Sequence, residues 1–301
     1  MKTTLALIRR NIKLFFKDKG LFFTSLITPL ILLVLYSTFL GNVYRDSFLM
    51  SIPEFMQNEV SNIIDGCVGG QLISSLLAVS CITVAFCSNM LMVQDKVSGA
   101  YNDISVTPVK HTHVAISYYV ATFLVTLVIN LVALVAGLIY IAAIGWYLTV
   151  SDVLFLILDI LLAVLFGTAL SSLIGFFLSS QGQISAVGSI VSSCYGFICG
   201  AYMPISQFSE GLQTVISFLP GTYATSLFRN HAMNGALDAL TEKGIPVDAV
   251  DAIRDVVDCN IHFMDERVGI GTMYLIVTAT VAVIMIAYVL LNKFKGGKAK
   301  A

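Results

Sequence analysis

Long apolar stretches alternate with short polar segments along this chain. Six of the apolar stretches reach the length of roughly 20 residues that a helix needs to cross a bilayer. They cover residues 21–40, 72–93, 114–144, 153–178, 184–203 and 270–291. The pattern predicts an all-α membrane protein with six transmembrane helices. Six spans would place both termini on the same side of the membrane.

Residues 1–20 differ from the spans because apolar and basic side chains alternate in them with helical spacing. Leu5, Ile8 and Ile12 share one helical face, whereas Arg9 and Lys13 lie on the other. This arrangement predicts an amphipathic interfacial helix that lies on anionic headgroups. The alternative is a plain positively charged flank of the first span. Both interpretations place the N-terminus in the cytoplasm.

The polar segment 94–113, QDKVSGAYNDISVTPVKHTH, separates the second span from the third. It must leave the hydrocarbon, where unpaired backbone and charged groups cost several kcal/mol each. Gly99 and Thr107-Pro108 are expected to interrupt it, which leaves room for a short helix along the membrane surface. The exposed polar face of that helix would suit a soluble partner.

The segment 204–269 is the largest part of the chain predicted outside the bilayer on the opposite side. We expect its first portion to form a helix that dips back into the outer leaflet, with Arg229 at its far end. The apolar face of that helix comprises Ile205, Phe208, Leu212, Val215, Ile216 and Leu219, before Pro220 interrupts it. A second, amphipathic helix is predicted from Pro246 onward.

The composition excludes an ordinary soluble domain, because 57% of the residues are hydrophobic and only 12% are charged. Twelve of the 17 Lys and Arg residues fall in segments predicted to be cytoplasmic, as the positive-inside rule requires. Fourteen of the 18 acids fall in segments predicted to be external. We therefore expect a multi-pass protein of the cell membrane with cytoplasmic termini and an acidic outer face. Nothing in the composition supports nucleic-acid binding.

Small residues recur at every fourth position in two of the predicted spans. The fourth span contains Gly167, Ser171 and Gly175, and the fifth contains Gly188, Ser192, Gly196 and Gly200. Such strips allow helix backbones to approach closely. We predict helix packing at both strips rather than ligand binding.

Asp159 is the one acidic residue inside a predicted span. An ionised group in the membrane is costly and is a functional-site hypothesis by default. We expect Asp159 to line the outward part of a translocation path. The alternative is an acid close enough to the interface to reach water or to pair with a helix end.

Two further features of the outer segments concern cysteine and histidine. Cys67 and Cys259 lie in polar segments predicted on the same outer face, so they are candidates for a disulfide. Cys259, His262 and Asp265 have ligand-type chemistry at near-helical spacing, but four ligands with fixed geometry are not evident. We therefore favour a solvated acidic face over a metal site. No spacing of Ser, His and Asp suggests a hydrolase triad.

Four stretches together resemble the ABC-2 type permease subunits of ATP-binding cassette exporters. They are RRNIKLFFKDKG, TPLILLVLYSTFLG, the DKVSGAYNDISVTPVKHTH loop and GAYMPISQFSEGLQTVISFLPGTYATSLFR. The resemblance implies a connecting helix over residues 1–20 and a six-span domain over 21–301. It also implies a coupling helix after the second span and re-entrant helices before the sixth.

The resemblance further implies that the loop after the second span contacts an ATPase. The residues at that element are Asp95, Lys96, Gly99, Ala100, Tyr101, Asn102, Asp103, Thr107 and Pro108. The glutamate and the Thr-Leu pair usual in the family are replaced here. The chain has no G-x-x-x-x-G-K-[ST] phosphate loop, so we expect no enzyme activity and no cofactor on it.

The function implied is a permease that forms the translocation path with a second copy or a homologue. Two cytoplasmic ATPase subunits would bind Mg-ATP and drive export. Apolar, aromatic-rich spans favour a drug-like, antimicrobial-peptide or other amphipathic substrate. Permeases for glycans, lipid-linked polymers or sodium are the alternative within the family. An ion-coupled secondary carrier or a membrane sensor is the alternative outside it.

Overall fold

The computed structural model describes residues 2–264 and 266–298. Its α-helices in chain order are α1 (Lys2–Lys17), α2 (Lys19–Leu35), α3 (Gly41–Met50), α4 (Glu54–Val97), α5 (Ala100–Ser105), α6 (His111–Ile144), α7 (Val150–Phe177), α8 (Gln181–Ile198), α9 (Glu210–Ser217), α10 (Pro220–Glu242), α11 (Val247–Val256) and α12 (Ile270–Lys298). A π-helical turn, Tyr36–Leu40, joins α2 to α3, and a 3₁₀ turn, Ile205–Gln207, precedes α9. Strands β1 (His262–Phe263) and β2 (Glu266–Arg267) pair antiparallel.

Five helical segments of the described chain are long and apolar enough to cross a membrane. They are Lys19–Met50, Glu54–Val97, His111–Ile144, Val150–Phe177 and Ile270–Lys293. The predicted all-α membrane fold is therefore confirmed. The fifth predicted span, 184–203, corresponds to α8, an 18-residue helix with Gln181 and Gln183 in its first turn. Since α8 is not among the five apolar segments, the count of six spans stays a prediction.

Helix α4 is the central element of the bundle. It contacts α1, α2, α3, α5, α6, α7, α8 and α10. Its 44 residues correspond to about 66 Å at 1.5 Å per residue. That length is about twice the hydrocarbon thickness of a bilayer. The helix therefore extends well beyond the second predicted span.

Residues 54–71 are helical, and their position outside the bilayer stays a prediction. These residues are the first half of α4, and Val60, Ile64 and Cys67 are buried in it. A Cβ atom on Gly70 would lie 2.6 Å from the carbonyl oxygen of Ala232 in α10. The absence of a side chain at Gly70 thus allows the backbones of α4 and α10 to touch. This tertiary contact buries a segment that looked solvent-exposed in isolation.

Helix α10 is the long buried helix of segment 204–269, and it lies further along the chain than the helix that was predicted to dip into the outer leaflet. Residues 204–219 form only the 3₁₀ turn and the short α9, while α10 begins at Pro220 and is buried from Gly221 to Met233. It packs against α4, α7 and α12. The amphipathic helix predicted after Pro246 is α11, with Val250 and Ile253 buried.

Arg229 lies in the middle of α10 and not at the far end of an outer helix. It is 0% exposed. Its Nη1 donates to Asp258 Oδ2 at 3.0 Å and its Nη2 donates to the Gly200 carbonyl. The same Asp258 oxygen accepts a hydrogen bond from the Ile205 backbone N–H at 2.9 Å. One buried ion pair therefore ties the chain after α8, the start of the 3₁₀ turn and the end of α11 to α10.

The small-residue strip of α7 lies along α4. A Cβ atom on Gly167 would lie 2.9 Å from the Cys81 carbonyl oxygen, and one on Gly175 would lie 2.7 Å from Asn89 Nδ2. Between them, the Ser171 carbonyl accepts a hydrogen bond from Asn89 Nδ2 at 2.6 Å. The two backbones are therefore in close contact at this strip.

The strip predicted in the fifth span does not form one helix–helix contact within the chain. Gly188 faces Met90 of α4, but Gly196 is covered by the Tyr202 ring of its own chain segment. Gly200 lies beyond the end of α8, in a turn with φ of 75°. Ser192 is partly exposed. The four-residue period is interrupted because α8 ends at Ile198.

Gly167→Leu should destabilise the bundle, because the added side chain would meet the backbone of α4. Overpacking of a close contact costs about 1–3 kcal/mol. The matched control is Gly182→Leu in α8, where a Cβ atom would have no neighbour within 4 Å. Thermal unfolding of the purified protein measures both variants. Equal melting temperatures for the two would contradict a tight contact between α7 and α4.

Candidate functional site

The turn between α4 and α6 presents a short polar helix at one end of the bundle. Gly99 adopts a left-handed conformation with φ of 87°, which few other residues tolerate, and it lets α5 begin directly after α4. The side chains of Asn102, Asp103 and Thr107 are exposed around α5. The exposed side chains around α5 are therefore mixed, because Val97 and Val106 are exposed beside these polar residues.

Asp95 lies at the end of α4, just before α5, and connects α4 to two other helices. Its Oδ2 accepts hydrogen bonds from Arg10 Nη1 of α1 at 2.6 Å and from the Tyr118 hydroxyl of α6 at 2.5 Å. Its Oδ1 accepts a second bond from Arg10 at 3.2 Å. A charge-assisted pair with two such bonds fixes geometry as well as position. Asp95 thus holds α1, α4 and α6 together.

Lys96 makes the corresponding link to α7. Its Nζ donates to the carbonyl oxygens of Gly175 at 2.8 Å and Phe176 at 3.2 Å, in the last turn of that helix. A cation at this position pairs with carbonyls that have no partner within their own helix. On α5 itself, the Tyr101 ring stacks on Tyr118 with centroids 6.4 Å apart. Helix α5 therefore contacts α6 through Tyr101, while Asp95 and Lys96 connect the preceding end of α4 to α1, α6 and α7.

The residues predicted to contact an ATPase divide into two groups. Asp95 and Lys96 have partners within the protein, and their contact with an ATPase stays a prediction. Ala100 and Tyr101 are half-buried, and Gly99 forms the turn. Asn102, Asp103, Thr107 and Pro108 remain on the surface. Sequence patterns missed Arg10 and Tyr118, because the pairing of residues 85 and 23 positions from Asp95 depends on the tertiary fold.

Asp159 is the centre of a second polar cluster, which lies deep in the bundle. Its Oδ2 is 2.6 Å from His231 Nδ1 of α10, and its Oδ1 accepts a hydrogen bond from the Tyr274 hydroxyl of α12. The His231 ring stacks on Phe155 with centroids 4.9 Å apart. The cluster therefore connects α7, α10 and α12 through one carboxylate.

Asp159 does not line an open path in this structure. Its side chain is 1% exposed, and both carboxylate oxygens have partners. The expectation that Asp159 lines the outward part of a translocation path stays a prediction. The costly charge is compensated inside the protein, as buried charges generally are. The sequence did not indicate that His231 and Tyr274 would pair with Asp159. His231 lies in a segment predicted outside the membrane, and Tyr274 stands alone among apolar residues of the last span.

The cysteines of the outer segments are unbridged. Cys67 and Cys259 are both buried with free thiols. Burial raises the pKa of the Cys259 thiol to about 12, which disfavours the thiolate that a metal would need. Asp265 lies outside the described residues. Within the described residues, no group of three His, Cys, Asp or Glu side chains is placed to hold a metal ion.

Comparison with known protein families identifies the chain. The family model of the ABC-2 type transporter matches residues 2–232, which is more than half of the sequence. The chain belongs to the ABC-2 type transporter family. It is a permease subunit of an ABC-type transporter, the membrane component and not the ATPase. Permeases of this family normally work with a cytoplasmic ABC ATPase. No curated protein matches the chain.

The match to the ABC-2 family ends inside α10. It includes the α5 element and both partners of Asp95, and it includes Asp159 and His231. The rest of α10, α11, the strand pair and α12 lie beyond it. The match therefore leaves the last part of the chain, from residue 233 onward, undescribed by the family pattern.

Asp159→Ala should destabilise the permease, because His231 and Tyr274 would lose their shared partner in a buried site. An unsatisfied buried polar group costs about 1–3 kcal/mol. Tyr274→Phe removes only one of the two bonds and should cost less. Thermal unfolding in detergent measures the order of the variants.

Transport assays test the same cluster from another side. If Asp159 holds the helices together, Asp159→Asn should reduce transport of cationic and neutral substrates to the same extent. A loss confined to cationic substrates, without loss of stability, would show instead that Asp159 lines the translocation path.

Proposed function

We propose that this protein is the membrane permease of an ABC exporter. Two copies, or one copy and a homologue, would form the translocation path. Two cytoplasmic ATPase subunits would bind Mg-ATP and drive the cycle. The observation that carries the proposal is the α5 element, which has exposed polar residues. It follows directly on the end of α4, where Asp95 and Lys96 bind α1, α6 and α7. A partner that moves α5 would move those helices as well.

The α1 and α5 end of the bundle is the cytoplasmic end in this proposal. The excess of Lys and Arg in residues 1–20 supports that orientation. Arg9 and Lys13 of α1 are available to headgroups or to the ATPase, while Arg10 is occupied by Asp95. The connecting helix would therefore lie beside the coupling helix at the ATPase surface.

Asn102→Ala combined with Asp103→Ala should uncouple transport from ATP hydrolysis. The substitutions shorten two side chains on the surface of α5 and leave its anchors intact. Transport should fall about tenfold or more, which corresponds to about 1.4 kcal/mol of lost coupling. The complex with its ATPase is assayed in proteoliposomes for substrate flux and for substrate-stimulated hydrolysis.

The matched control is Asp248→Ala, because Asp248 is an exposed acid on α11 at the other end of the bundle. Wild-type flux in the α5 variant would contradict a coupling role for this helix. Unchanged assembly of the complex is verified by size-exclusion chromatography, so that lost coupling is distinguished from lost folding.

An apolar groove supports an amphipathic substrate. The groove has a volume of about 430 Å³ and lies between α2, α4 and α6, within the range of about 300–1,000 Å³ typical of ligand pockets. Leu26 and Leu33 of α2 and Val132 of α6 are among its apolar lining residues. Phe16 of α1 also lines the groove, and the exposed Lys13 and Lys17 flank it in the sequence. An amphipathic drug or peptide that enters from the inner leaflet would fit this arrangement.

The alternatives remain a permease for glycans, lipid-linked polymers or sodium within the family. The match to the ABC-2 family rules against the ion-coupled carrier and the sensor that the sequence alone left open. The groove favours an apolar portion in the transported molecule, since its wall offers few polar groups to a sugar or a hydrated ion.

Ala136→Phe should raise the half-saturating concentration of an amphipathic substrate about tenfold, the effect of losing about 1.4 kcal/mol of binding. Ala136 lines the groove, so the added ring would fill it. Val135→Phe is the matched control because Val135 is exposed on the adjacent face of α6. Substrate-stimulated ATPase activity of the complex measures both. Equal effects of the two variants would exclude the groove as the binding site.

A further inference from the structure

A second cavity lies at the end of the bundle opposite α5. Its volume is about 650 Å³, and its wall is formed by α9, the start of α10, the end of α11 and β1. The wall combines polar side chains such as Gln213 and Thr214 with apolar ones such as Ile261. The size and the mixed lining are those of a small-molecule or short-peptide site. The proposed function does not use this cavity.

Negative charge dominates the wall of the cavity. Glu210, Asp255 and Asp258 line it, and the described residues of the wall include no Lys or Arg. Asp258 is neutralised by its ion pair with Arg229, which is behind the wall. Glu210 and Asp255 are exposed and supply the remaining charge. A concave surface with one sign of charge concentrates ions of the opposite sign.

Two aromatic rings give the cavity an apolar side. Phe218 and Phe263 contact each other edge to face, with ring centroids 5.0 Å apart. Both line the cavity, and Phe218 is exposed. Aromatic faces bind apolar groups and also attract cations. The lining therefore suits a ligand with both characters.

Asn260 provides an observation that is independent of the acidic residues. Its side chain lines the cavity, yet the residue is only 8% exposed. Its Nδ2 donates to Asp255 Oδ1 at 2.7 Å. Its Oδ1 is buried, and the described residues supply no hydrogen-bond donor to it. Such an orphaned acceptor is uncommon in folded proteins, and an N–H group of a ligand would satisfy it.

We propose that this cavity binds a cationic amphipathic ligand, which carries an ammonium or guanidinium group beside an aromatic or aliphatic portion. Glu210 and Asp255 attract the cation, Asn260 Oδ1 accepts one of its N–H groups, and Phe218 and Phe263 contact the apolar portion. The part of the wall that follows α10 lies outside the matched family region. The site is thus divided between the matched region, which supplies Glu210 and Phe218, and the chain beyond it, which supplies Asp255, Asn260 and Phe263.

The probe for this proposal is an N-acetylated Lys-Phe-Lys amide tripeptide, whose only charges are on its two lysine side chains, titrated calorimetrically into the full-length permease. The protein is held in nanodiscs, which leave both faces of the membrane accessible to solvent. The lipid is phosphatidylcholine, which carries no net charge. The same tripeptide with both lysine side chains acetylated is the matched ligand without side-chain charge. The cationic peptide should bind at least about tenfold more tightly than the acetylated one, since two ion pairs are lost.

Glu210→Gln combined with Asp255→Asn should weaken binding of the cationic peptide about tenfold and leave binding of the acetylated peptide unchanged. Asp255→Asn retains an oxygen that can accept from Asn260. Asp248→Asn is the control on α11, outside the cavity, and should bind as the wild type does. Equal affinity for the two peptides on the wild-type protein would overturn the proposal, even if the double variant failed to fold. Wild-type affinity in a folded double variant would overturn it as well.

Discussion

The burial of α4 is the constraint on which the rest of the structure depends. Helices in lipid gain little from hydrophobic association, so close packing and hydrogen bonds must hold them together. A helix enclosed by eight neighbours leaves little room for side chains at the contacts. Gly70 of α4 admits the backbone of α10, and Gly167 and Gly175 of α7 admit the backbone of α4. The positions of α7 and α10, and therefore the position of the Asp159 cluster between them, follow from these close contacts.

Charged groups fix the arrangement at the places where packing alone would be ambiguous. Asp95 joins α1, α4 and α6, Asp159 joins α7, α10 and α12, and the Arg229–Asp258 pair ties the outer loops to α10. Buried ion pairs add little net stability compared with apolar packing, but the loss of one partner is costly. Their effect here is to select one relative position of the helices. A transporter needs such defined positions in order to move between a few distinct states.

The sequence predicted the elements whose signal is local, and it failed where tertiary contacts decide. The hydrophobic periodicity identified the helix over residues 1–20, the apolar spans and α11, and the turn residues Gly99 and Pro108 located α5. The burial of residues 54–71 and of α10 was not predicted, because it depends on tertiary contacts such as the one between Gly70 and Ala232. The role of Asp95 could not be predicted either, since Arg10 and Tyr118 reach it from distant parts of the chain. Asp159 was recognised as unusual, but its partners were not.

The mechanical properties of α2 and α4 differ, and the difference bears on how a signal from α5 could travel. The residues of α4 from Glu54 to Val97 include no proline, and α4 links α5 at one end to α10 in its other half. The first span contains Pro29 and then the π-helical turn Tyr36–Leu40, both of which weaken the regular hydrogen-bond ladder. The Tyr36 hydroxyl in that turn is 2.8 Å from Ser75 Oγ of α4 and 3.1 Å from the Ala201 carbonyl. In the proposed function, a displacement of α5 would act directly on α4, and α2 would meet that motion at Tyr36, where its hydrogen-bond ladder is interrupted. Helix α4 also contacts α10, whose Thr222 lines the acidic cavity, so α4 is the element that would connect a bound ATPase to that cavity.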